Sequence, residues 1–202
     1  MASFRGYAQL SVHGSTDTIA AMTLDWTQME DDMVAAAVAA VRRTIGAHRD
    51  EHFHAAAFDE LYGEQCGPFM FGNLALANAD DEGEWSPPDW THQIDGWFPA
   101  ASRRHWEKEL ATEAGVPVAE WTDRWWEDPD FEGEDIPRWD AVYEKFVWTH
   151  APVARRTRDT LVRDGVVDDT FLVLAFDDDF DKLPDACLRP GETVPWLNQP
   201  GY

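Results

Sequence analysis

At 202 residues, 44% of them hydrophobic and 13% aromatic, the chain is long enough to bury a core of its own and too rich in rings for wholesale disorder. Its formal net charge of −23 disfavours nucleic acid and anionic membrane as partners, because affinity for either comes from Lys and Arg displacing counterions. Two cysteines, Cys66 and Cys187, permit at most one bridge and suit a reduced, cytoplasmic setting, and no apolar run approaches membrane-spanning length.

The first segment, MASFRGYAQLSVHG, lacks the continuous apolar stretch of a secretory signal. Phe4 to Val12 alternates weakly and predicts a strand in an N-terminal extension, residues 1–22, weakened by Gly6. A helix follows. Thr27 and Glu30 have capping-box spacing, and Met33, Val34, Ala37, Val38, Val41 and Ile45 form one apolar stripe that ends near Gly46. His52 to Asp59 reads as a strand, and Phe69 to Ala77 as a second; a link of about ten residues makes them an antiparallel pair.

An acidic loop leads to Trp85-Ser86-Pro87-Pro88-Asp89-Trp90, whose prolines forbid a regular helix or central strand. Ala101 to Ala114 predicts a helix carrying Trp106 and Leu110, and Pro117 opens a shorter one bearing Val118, Trp121 and Trp125. Glu127 to Asp135 places six carboxylates in nine residues. From about Arg138 a long helix presents Trp139, Val142, Tyr143, Phe146, Val147 and Leu161 inward. Pro152 should kink or interrupt it, and Gly165 ends it. Thr170 to Phe176 is the most apolar strand, and the tail, 177–202, is assigned no element. The order predicts a single α+β domain over residues 1–202: one mainly antiparallel sheet packed by two long helices, with a Trp-rich helical insertion.

The elements also resemble, in their order and local motifs, the bacterial domain-of-unknown-function family 4303. The likeness is carried by Phe53-His54-Ala55-Ala56-Ala57-Phe58-Asp59, by a second strand ending near Asn78, by the Trp85–Trp90 element and by Phe171 to Asp178, and it spans about Asp25 to Phe180. It implies an α+β cytoplasmic domain and supplies no catalytic residues. An immunity role, known for some small acidic bacterial domains, comes by analogy alone.

Four constellations bear on chemistry. His52 and His54, two apart on a strand, point to one face, and with His48 or Glu51 nearby they resemble the start of a metal site; as plain strand-edge histidines they need no ion. Asp177, Asp178, Asp179 and Asp181 match a calcium loop only in spacing, since Lys182 and Leu188 stand where a glycine and a bidentate glutamate are required. Acidic neighbours argue against a reactive thiolate at Cys66, and no nucleophile-elbow, P-loop or dinucleotide motif occurs. Finally, eight of the eleven tryptophans lie between Trp85 and Trp139, and Asp59 to Asp140 holds 21 acidic residues against 5 basic ones.

That last concentration points to a protein interface, with rings at its centre and carboxylates meeting a partner's Lys and Arg. Trp106, Trp121, Trp125, Trp139 and Trp148 fall at helical core spacing, which leaves Trp85, Trp90 and Trp126, with Glu127, Asp128, Asp130, Glu132, Glu134 and Asp135, as the candidate partner-binding residues. Trp85 and Trp90 could equally cap the core under a fixed loop. The leading expectation is a non-enzymatic, cofactor-free, acidic cytoplasmic protein, an immunity-type antagonist that occludes a basic toxin or nuclease. The alternatives are a metal-dependent hydrolase built on His52 and His54, and a subunit of a larger assembly.

Overall fold

The computed structural model describes residues 24–61, 69–78, 81, 86–116, 138–177 and 179–193. In chain order these form α1 (Trp26–Ala47), β1 (Phe53–Asp59), β2 (Asn73–Asn78), a 3-10 turn (Pro87–Asp89), β3 (His92–Gln93), α2 (Ala100–Ala114), α3 (Trp139–Arg163), β4 (Leu172–Ala175) and α4 (Leu183–Cys187). The fold is α+β.

The sheet runs β3-β2-β1-β4. β2 pairs antiparallel with β1 and with β3, as the short links demand. β4 pairs parallel with β1, Ala55 opposite Leu172 and Phe58 opposite Ala175, so the sheet is mixed. The physical reason is the connection: α2 and α3 stand between β3 and β4, and so long a helical crossover returns the chain in the direction of β1.

Alternation along the strands separates two faces. Phe58, Leu74 and Leu76 enter the main core with Met29 and Met33 of α1 and Phe146, Val153 and Leu161 of α3. The opposite face carries Ala55, Ala57, Ala75 and Ala77, and the Trp90 ring packs on it with half-buried Leu172 and Phe176 alongside. Small side chains on two adjacent strands make the flat bed that a single indole can cover. Each large side chain so buried is worth about 1.5–3 kcal/mol.

Several local expectations are revised. Asp25, not Thr27, caps α1: its carboxylate accepts from the Gln28 N–H. β2 starts at Asn73 rather than Phe69, because Gly72 takes a φ of +59° and bends the chain beside Asp59. Pro152 does not interrupt α3, which runs as one 25-residue helix. The tail contains α4, with Pro184 in its first turn. The expected strand at Phe4–Val12 and the helix after Pro117 lie outside the described residues. Among the described residues no helix is long and apolar enough to cross a membrane.

Candidate functional site

β1 has a cluster of ligand-type side chains at each end. Ahead of its first residue, α1 ends at His48, whose N–H donates to Thr44 and Ile45 carbonyls. The Glu51 N–H then donates to the His48 carbonyl at 3.1 Å, a tight turn that folds the Glu51 carboxylate back toward the ring. His48 Nδ1 lies 2.9 Å from Glu51 Oε1.

The other carboxylate oxygen meets two residues from the far side of the sheet. Asn78 ends β2 opposite Phe53, and its Nδ2 donates to Glu51 Oε2 at 2.6 Å. His92 stands on β3 opposite Leu76, and its Nε2 is 2.6 Å from the same oxygen. The His92 ring packs edge-on against Phe53 and His48, with centroids 5.0 and 4.5 Å apart. The hydrogen bond from Asn78 foremost, with smaller contributions from His92 and His48, holds the Glu51 carboxyl below the usual range despite partial burial, which raises it.

Behind this group, buried Asp81 accepts from the Asn78 N–H (2.9 Å), the Thr91 N–H (3.1 Å) and the Thr91 hydroxyl (2.9 Å). One carboxylate thus ties the end of β2 to the residue before β3 and positions Asn78 and His92 together. His48, Glu51 and His92 form the one group of three or more potential metal ligands among the described residues, their ligand atoms all within 4.8 Å of one another.

The expected metal pair is placed elsewhere. His52 is exposed just ahead of β1 and His54 is half-buried on the strand, beside a register irregularity between Phe53 and Ala55, and neither belongs to that group. Sequence reasoning reached His48 and Glu51 as neighbours but missed His92. The signal available was weak: a histidine two residues after Trp90, in a strand two residues long.

The opposite end of β1 opens on a cleft of about 720 Å³ lined by Asp59, Glu60, Leu61, Met70, Pro88, Tyr143, Asp177 and Asp179. Asp59 ends β1 and Asp177 lies just past the parallel strand β4, so both carboxylates stand at the same end of the sheet and line this cleft. The Tyr143 hydroxyl lies 3.0 Å from the Leu61 carbonyl oxygen and 3.1 Å from Asp177 Oδ2, and Asn73 Nδ2 donates to Glu60 Oε2 at 2.6 Å. Met70, at 45% exposure, is the one large hydrophobic side chain exposed among the described residues. Four carboxylates and no cation appear among the described residues of the lining.

Of the candidate partner-binding residues, Trp90 is 2% exposed and covers the alanine face of the sheet, so its ring is packing rather than surface. Trp85, Trp126, Glu127, Asp128, Asp130, Glu132, Glu134 and Asp135 lie outside the described residues. Trp106 and Trp139 are buried at 4%, and Trp148 packs half-buried against the core. No protein-family model, curated protein or solved structure matches the chain.

Proposed function

We propose that this protein is an acidic, non-enzymatic binding protein that takes a basic protein as its partner, in the manner of an immunity-type antagonist occluding a toxin or nuclease. The observation that carries the reading is the cleft at the C-terminal ends of β1 and β4, in a chain of net charge −23. Its walls are amphipathic. Met70, Pro88 and the Tyr143 ring offer apolar surface above buried Leu61, and Asp59, Glu60, Asp177 and Asp179 offer negative charge. An inserted Lys or Arg lays its aliphatic stem on the first group and brings its head to the second. The net charge meanwhile accelerates encounter with any basic surface.

The test is association with the products of the genes that flank this chain's gene, followed as ionic strength is raised. The expected result is a one-to-one complex whose association rate falls steeply with salt and falls again in Glu60→Lys/Asp179→Lys. Absence of a complex, or a rate indifferent to salt and to these substitutions, overturns the reading.

A further inference from the structure

The cluster ahead of β1 has a chemistry that the acidic-partner reading does not use. Glu51 has two oxygens, and each faces an imidazole nitrogen: Oε1 faces His48 Nδ1 at 2.9 Å and Oε2 faces His92 Nε2 at 2.6 Å. The three donors come from the end of α1, the turn before β1 and the edge strand β3, so convergence is a property of the tertiary fold and not of sequence proximity.

We propose that His48 Nδ1, the Glu51 carboxylate and His92 Nε2 form a three-ligand site for a divalent transition metal of the zinc class. Two imidazoles and one carboxylate are a borderline donor set, which suits zinc, cobalt, nickel or ferrous iron and not the all-oxygen preference of calcium or magnesium. Three protein ligands leave a coordination position for water. The side-chain exposures fit such a rim site, falling from 42% at His48 through 29% at Glu51 to 12% at His92. On metal binding, the hydrogens now shared between each ring nitrogen and Glu51 leave: each imidazole carries its hydrogen on the other nitrogen or releases a proton to solvent.

The surrounding shell is what a ligand set needs to keep its geometry. Asn78 Nδ2 holds Glu51 Oε2 at 2.6 Å and also lies 3.3 Å from His92 Nε2. Asp81 accepts three hydrogen bonds from Asn78 and Thr91 and so fixes the strand end and the residue on either side of the gap. Phe53 supplies an apolar wall against the His92 ring. These supports order the side chains before an ion arrives.

The test is zinc titration of the full chain against a chromophoric chelator, with cobalt absorption as a second readout of ligand number. Wild type is expected to bind one zinc ion tightly, and His92→Ala and Glu51→Gln to weaken that binding by on the order of 100-fold or more. His52→Ala/His54→Ala is expected to leave it unchanged. Should His92→Ala fail to fold, His48→Ala, at a half-exposed position, carries the same expectation, with zinc raising the melting temperature of wild type and not of the variant. No stoichiometric binding overturns the site. So does binding that survives His48→Ala and Glu51→Gln, or binding lost only with His52 and His54; either marks adventitious capture by the other histidines and carboxylates.

Discussion

His92 Nε2 lies 2.6 Å from Glu51 Oε2 although 41 positions separate the two residues. The contact exists because Asp81 gathers the chain on either side of the β2–β3 connection, accepting from Asn78 and from both polar hydrogens of Thr91. Asp81→Ala removes three hydrogen bonds to a buried anionic acceptor and leaves their donors behind. It should cost about 2–4 kcal/mol in urea denaturation and weaken zinc binding by on the order of 10-fold. A variant that loses neither stability nor metal affinity would show that the connection is held by other contacts.

His150 sets a pH dependence. It is fully buried in α3, its Nδ1–H donates to the Phe146 carbonyl at 3.1 Å, and its ring sits against Phe58 and Phe146. Nε2 has no hydrogen-bond partner among the described residues. Burial foremost, against two helix carbonyls that favour the charged form, pushes its pKa down from 6.5 to about 4. The folded value is therefore the lower one. Above about pH 6.5 neither state holds the extra proton and the group contributes nothing; as pH falls below that, the unfolded chain takes up a proton that the folded chain refuses. Stability drops by up to about 1.4 kcal/mol per pH unit, reaching about 3 kcal/mol near pH 4. Carboxylates titrate over the lower part of this range, so the comparison is with His150→Leu, whose stability should fall less between pH 6.5 and 5.

Gly72 is required by a close approach. Its φ is +59°, and a Cβ added there would stand 2.2 Å from the Asp59 carbonyl oxygen. Gly72→Ala therefore meets an unfavourable backbone region and a backbone clash together, and should cost about 2–4 kcal/mol. Because the Gly72 carbonyl also accepts from Trp97 Nε1 at 3.2 Å, the near-ultraviolet signal of tryptophan should change with it. Unaltered thermal stability would mean that the turn relaxes at no cost.

Cys187 should be inert while the protein is folded. Its thiol is buried, donates to the Leu183 carbonyl at 3.2 Å, and burial pushes its pKa up to about 12. In a Cys66→Ser background a disulfide reagent should label nothing at neutral pH until denaturant is added, and then one thiol. Rapid labelling of the native protein would place Cys187 at the surface.

The long elements were legible in the sequence because their periodicity is enforced by burial over many residues. The α1 stripe through Met33, Val38 and Val41, and the α3 stripe through Val142, Phe146 and Leu161, are core positions. The apolar strand ending at Phe176 is β4. What escaped was short or assembled from a distance. Asp25 and Thr27 are both good caps by chemistry, and only the backbone decides between them. A five-residue helix such as α4 is too brief to show a period. A two-residue strand such as β3 has no alternation to read, so the ligand it carries, His92, was invisible as one. The cleft was equally hidden: the Asp177 run matched a calcium loop only in spacing, and the parallel pairing that brings the ends of β1 and β4 together is a long-range fact.

β1 therefore works as a spacer. Its seven residues, at about 3.3 Å each, separate the histidine end from the carboxylate end by about 20 Å. Sites that far apart, with no shared side chain, add their free energies to within about 0.5 kcal/mol. Saturating the protein with zinc should shift the dissociation constant of a basic partner by about twofold or less, and the two ligands would occupy one molecule at once, each blind to the other.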